Sequence, residues 1–130
     1  MHNPVACHRM CHLVGRLLAK ALLDRQLVTL PLNRPLLKHI LGVPVTLSDL
    51  EFVDEAQLKI LRDMLGSTGE VEDMYLDFSL SEDIFGVMHT VELKPDGSNC
   101  PVTGENRQAY VTAMVTWLLE TSVEQQFGAF

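Results

Sequence analysis

Six consecutive residues near the amino terminus, Cys7-His8-Arg9-Met10-Cys11-His12, form the densest set of potential metal ligands and nucleophiles in the chain. In a helix, Cys7 and Cys11 share one face, while His8 and His12 share another about 100° further round the axis. One tetrahedral zinc ion needs four converging side chains, and no second Cys/His cluster follows at the usual spacing. The string therefore reads as a partly buried helix start, and no metal ligand is assigned to it.

Cysteine could also act as a nucleophile. Three cysteines, Cys7, Cys11 and Cys100, cannot all pair, and the start Met1-His2-Asn3-Pro4 lacks the basic-then-apolar layout of a secretory leader. Reduced thiols are expected. A catalytic thiolate needs a nearby cation or helix amino terminus and a base within reach. Cys100 stands between Asn99 and Pro101, with only the more distant Lys94 as a cation, and reads as structural. None of His2, His8, His12, His39 and His89 has a recognisable Ser, Cys or Asp partner motif. Neither Gly66-Ser67-Thr68-Gly69 nor Gly104-Glu105-Asn106 carries the GxxxxGK[ST] phosphate-loop pattern. Glu82-Asp83 reads as a solvated acidic pair, and Tyr110 and Trp117 as core. No catalytic residue, cofactor-binding residue, cofactor or metal ligand is assigned.

The elements that would position these residues follow from periodicity. Met10, Leu13, Val14, Leu17, Leu18, Ala21 and Leu22 repeat at three and four residues, which predicts an amphipathic helix ended by Asp24-Arg25-Gln26. Gly15, inside it, suggests close helix packing. Pro35, then Leu36, Leu37, Ile40 and Leu41, then Gly42 and Pro44, predict a second helix of about two turns. Ser48-Asp49-Leu50-Glu51 and Asp54-Glu55-Ala56-Gln57 have capping-box spacing, and the second should carry Leu58, Leu61 and Leu65 as far as Gly66. Residues 66–73 read as a loop. The period then changes from 3.6 to 2 at Leu76, Phe78 and Leu80, and again at Val87, His89, Val91 and Leu93, which predicts two strands joined around Ser81 to Gly86. Lys94-Pro95-Asp96-Gly97 is a turn leading to a third short strand near Cys100 to Val102. Asn106 is placed to cap a long helix with a face of Tyr110, Ala113, Met114, Trp117 and Leu118, and Ser122 with Gln125 to restart a helix to the end.

With 130 residues and 47% hydrophobic content, the chain is long enough to bury about two thirds of its unfolded surface. That excludes a disordered chain. No apolar run approaches the roughly 20 residues that cross a bilayer, so no membrane partner is expected. The net charge of -7 argues against a nucleic-acid module. Charge is also asymmetric, with six Lys/Arg and two acids in residues 1–50 against four and fifteen in residues 51–130. This reads as a solvated acidic surface, with choice of a protein partner as the alternative. An intracellular location, cytoplasmic and/or nuclear, is expected.

Several separated fixed points resemble the amino-terminal lobe of HECT-type ubiquitin ligases. They are Glu92-Leu93-Lys94-Pro95-Asp96-Gly97, Val102-Thr103, Asn106, Tyr110 and Gln126-Phe127-x-Ala129-Phe130. Upstream stand Gly15-Arg16, Lys38-His39-Ile40-Leu41-Gly42, Leu47-x-Asp49-Leu50, Val53-Asp54, Phe78-Ser79 and Phe85-Gly86. Leu36-Leu37 departs from the aromatic pair expected there. The resemblance implies an α+β fold, mostly helical with a small antiparallel sheet or hairpin. Residues 1–9 fall outside it, and residues 10–130 form a partial HECT domain lacking the conjugating-enzyme-binding subdomain and the cysteine lobe. In such ligases ubiquitin passes from a conjugating enzyme to a cysteine as a thioester and then to a substrate lysine. The implied nucleophile sits in a Thr-Cys-Phe context that this sequence lacks, so the chain is expected to be scaffold. The implied partners are the rest of the domain, with a ubiquitin-conjugating enzyme and ubiquitin acting through the whole of it. A stand-alone noncatalytic binding or regulatory module derived from the same fold is the alternative.

Overall fold

The computed structural model describes residues 4–67 and 71–129, which divide into two compact units: residues 4–45 with 118–129, and residues 46–67 with 71–117. Met1, His2, Asn3, Thr68, Gly69 and Phe130, named above, lie outside the described residues.

Helix α1, Pro4–Leu23, opens the first unit. It begins at Pro4 rather than Met10, because proline suits a first helical turn, where its missing N–H has no partner to lose. It ends where Arg25 turns left-handed at φ 52°, with Gln26 N–H donating to the Ala21 carbonyl at 2.9 Å. Helix α2, Arg34–Leu41, starts at Asn33, whose side chain accepts the Leu36 N–H. It ends at Gly42, φ 67°, where Gly42 N–H donates to the His39 carbonyl at 3.2 Å and Val43 N–H returns to the Lys38 carbonyl at 2.9 Å. This pair of backward bonds needs a left-handed residue, which glycine supplies without a Cβ penalty. A 3-10 turn, Thr121–Val123, leads into the short helix α5, Glu124–Ala129, and α5 packs against α1. The half-buried stripe of α1 is Cys7, Cys11, Val14, Gly15, Leu18 and Ala21. Met10, Leu13, Leu17 and Leu22, expected on the buried face, are exposed.

The second unit opens with a 3-10 turn, Leu47–Phe52, whose capping box pairs Thr46 with Asp49 rather than Ser48 with Glu51. Ser48 already lies inside the turn, and Thr46 is the last extended residue before it. Asp54 then caps helix α3, Glu55–Gly66, by accepting the Gln57 N–H, and α3 buries Leu58, Leu61 and Met64, leaving Leu65 half-buried. Part of the expected loop is a 3-10 turn, Val71–Met74, with Val71 buried.

Strands β1, Ser79–Ile84, and β2, Val87–Glu92, form one antiparallel hairpin in the register Ser79↔Glu92 to Ile84↔Val87. Its two-residue turn, Phe85-Gly86, has φ of 57° and 82°, the mirror-type geometry that matches strand twist. The expected connector from Ser81 onward is thus mostly strand. Ser81, Glu82 and Asp83 carry no apolar alternation, because most of this stretch faces solvent. The expected third strand reduces to one bridge, Asp77↔Pro101, since proline has no N–H to extend a ladder. Helix α4, Arg107–Leu119, belongs to this unit through Trp117 and buries Tyr110, Val111, Met114 and Val115. Among the described residues, no helix is long and apolar enough to cross a membrane.

Candidate functional site

Four family-like residues of the second unit, Leu93, Lys94, Gly97 and Tyr110, converge on Phe78. Its ring meets Tyr110 edge-on, with centroids 5.5 Å apart at 88°, and the Lys94 ammonium sits 3.9 Å from the centre of the same ring. Its N–H lies 3.1 Å from both the Gly97 and Cys100 carbonyls, and its own carbonyl accepts the Leu93 N–H at 2.8 Å. Gly97 passes so close that a Cβ there would lie 2.2 Å from the Phe78 carbonyl oxygen. Asp96, left-handed at φ 57°, bends the chain into this approach. The run from Lys94 to Gly97 therefore packs on one aromatic residue, Lys94 against its ring and Gly97 against its backbone, a role that turn propensity alone did not reveal.

Asn106 occupies the cap position of α4 but turns away from it. Its Oδ1 accepts the Thr103 N–H at 2.7 Å and its Nδ2 donates to the Pro101 carbonyl at 3.0 Å, so both polar ends hold the preceding loop. Glu72 accepts the Gly104 N–H at 3.0 Å, and Arg107 donates to the Ser67 carbonyl at 2.7 Å. The Glu72 carboxyl is held below its usual range, first by its own backbone N–H, then by that of Gly104, with the charge of Arg107 adding to both. Trp117 is half-buried and its indole N–H donates to Glu82 at 3.3 Å, so Glu82 is not merely solvated. Burial pushes the Tyr110 phenol up, with the charge of Asp77 adding to it.

In the first unit, the rings of His39 and Phe127 lie 4.5 Å apart at 39°. Two open clefts of about 270 and 310 Å³ share His39, Phe127 and Glu120. His8, His12 and His89 are also exposed. A larger cleft of about 500 Å³ in the second unit, bordered by Glu51, Glu55, Lys59, Arg62 and Asp63, holds no thiol, hydroxyl or imidazole among its lining residues.

All three cysteines are free and half-buried. Desolvation pushes the Cys11 thiol up, and the neighbouring Cys7 adds to the rise, which opposes thiolate formation. Cys100 is held at both ends of its backbone, donating to the Gly97 carbonyl at 3.0 Å and accepting from Phe78. Among the described residues, no group of three or more His, Cys, Asp or Glu side chains is arranged to hold a metal ion. What the geometry assembles is a set of backbone-shaping contacts.

The profile of the HECT-domain (ubiquitin-transferase) family matches residues 2–130. E3 ubiquitin-protein ligase HACE1 of Danio rerio is 35% identical over 116 residues, covering 89% of this chain and 13% of that protein. E3 ubiquitin-protein ligase RSP5 of Chaetomium thermophilum is 38% identical over 117 residues, covering 90% and 14%. E3 ubiquitin-protein ligase HECW2 of Homo sapiens is 37% identical over 120 residues, covering 92% and 8%. The chain thus spans between 8% and 14% of the length of these relatives.

Proposed function

The chain belongs to the HECT-domain (ubiquitin-transferase) family, and from that premise we propose that it is a scaffold portion of a HECT-type ubiquitin-protein ligase, with residues 10–130 contributing to the amino-terminal lobe. In the full enzyme a cysteine thiolate attacks the thioester carbonyl of a charged ubiquitin-conjugating enzyme and releases that enzyme's thiol. A substrate lysine amine then attacks the new thioester, forms the amide bond and frees the cysteine. The thiols of this chain take no part in either step. The partners are the rest of the domain, a ubiquitin-conjugating enzyme, ubiquitin and a protein substrate, in the cytoplasm or nucleus.

One observation carries the reading. The described family-like positions Asp49, Asp54, Gly97 and Asn106 are occupied in capping turns, closing loops or permitting close approach. None of them is itself a thiol. A fold that must present other segments rigidly needs such residues, whereas a thioester acceptor needs a cation and an open approach.

The test is to incubate the chain with activating enzyme, conjugating enzyme and ubiquitin and run a non-reducing gel. No thiol-sensitive ubiquitin adduct is expected. An adduct lost on Cys100→Ser, or on Cys7→Ser or Cys11→Ser, overturns the scaffold role.

A further inference from the structure

We propose that Cys7 and Cys11 form a two-coordinate dithiolate site for a soft monovalent metal ion, Cu(I), on helix α1. The pair lies one helical turn apart on the half-buried stripe of α1, and both thiols are free. The two side chains feel each other, since Cys7 is among the causes that raise the Cys11 thiol after desolvation. Nothing in the ligase reading uses them, and the site stands independently of that reading.

Geometry decides what such a pair can hold. Side chains four apart on a helix have Cβ atoms about 5–6 Å apart, whereas a disulfide requires about 3.5–4.5 Å. Direct oxidation would therefore have to distort a helix that runs unbroken from Pro4 to Leu23. A metal ion inserted between the sulfurs removes that conflict. With metal–thiolate bonds of about 2.3 Å, the zinc value, a linear S–metal–S unit spans about 4.6 Å between sulfurs.

Coordination number then selects the ion. Thiolates favour Cu(I), zinc and iron–sulfur clusters. Zinc and the clusters need four ligands, and His8 and His12 are exposed about one third of a turn away from the thiols. Cu(I) is satisfied by two sulfurs. Binding displaces both thiol protons, leaves copper in its original oxidation state and gives a complex of net charge minus one. Half-burial limits competition from water, and the exposed imidazoles leave a path by which a donor can deliver the ion.

The experiment uses the whole chain, reduced and kept anaerobic, titrated with Cu(I) against a chromophoric Cu(I) chelator. One copper per chain is expected, with X-ray absorption reporting two sulfur neighbours and no nitrogen. Cys7→Ser and Cys11→Ser should each remove the site, and Cys100→Ser should keep it, with helical circular dichroism unchanged throughout. Retention of copper by Cys7→Ser, loss with Cys100→Ser, or nitrogen in the first shell overturns the proposal. So does stoichiometric zinc binding in place of copper, or ready formation of a Cys7–Cys11 disulfide by a mild oxidant without metal.

Discussion

The two units bury their apolar residues to very different extents. In residues 46–117, side chains from the 3-10 turn at Leu50, from α3, from the Phe78 loop and from α4 are buried, several of them completely. In the other unit, Leu119 is the only buried apolar residue apart from Pro35 among those described, while Met10, Leu13, Leu17, Leu22, Leu23 and Leu41 are each more than half exposed. Both units contain well-capped helices, so capping and periodicity make helices in either. Only in the second do long-range contacts close a core around them. Helix formation and core formation are separate steps, and the sequence encodes them by different means.

The most direct way to break this comparison is truncation at matched positions. Phe78 is 2% exposed and Leu17 is 58% exposed. Phe78→Ala should cost about 3–5 kcal/mol through lost transfer energy and the cavity left beside Tyr110. Leu17→Ala should stay within about 0.5 kcal/mol, as for other surface positions. Urea denaturation of the two variants checks the contrast. Comparable losses would mean that the first unit has a core after all.

A smaller effect is expected where the second unit relies on the absence of atoms. Gly97→Ala places a Cβ 2.2 Å from a backbone oxygen that cannot rotate aside. Either the Phe78 or the Gly97 backbone must shift, at the roughly 1–3 kcal/mol typical of overpacking. The same substitution at Gly104, whose Cβ would meet nothing within 4 Å, should be close to neutral. Thermal melts of the two variants decide it, and equal midpoints would show that the loop adapts freely.

The parts of the fold legible in the sequence are those set by local chemistry. Gly42 closes α2 and Asp54 opens α3, because in each case the deciding interaction lies within a few residues. The α+β class follows from the same signals, whereas the mostly helical form with a small sheet or hairpin is what the family resemblance implies. What escaped depends on distant neighbours. The buried side of α1 is set by packing against α5, about a hundred residues later, and apolar residues on both sides of that helix left its orientation open. Asn106 has a capping residue's chemistry, but the loop at Pro101 and Thr103 competes for its amide and takes it. The packing of Lys94 and Gly97 on Phe78 was visible only as a family-like string, whose physical reason is a close approach between segments nearly twenty residues apart.

The smallest expected effect concerns charge. On α1, Lys20 and Asp24 pair at 2.7 Å one turn apart on an exposed surface, a local contact of the kind worth about 0.3–0.5 kcal/mol. In the second unit, Glu72 reaches Gly104 across 32 residues and so closes a loop. Its carboxyl lies below the ordinary value of 4.5 in the folded chain. A depressed folded value means that the carboxylate stabilises the fold above the unfolded pKa, and that this contribution disappears as pH falls through the lower folded value. Glu72→Gln should therefore be less stable than the parent at about pH 7, and the gap should close below about pH 4.5 as the parent's carboxyl protonates. Denaturation curves of both proteins across that acid range are the measurement. A gap that persists unchanged into acid would mean that Glu72 acts through shape rather than charge, leaving Arg107 and the backbone to hold this loop without electrostatic help.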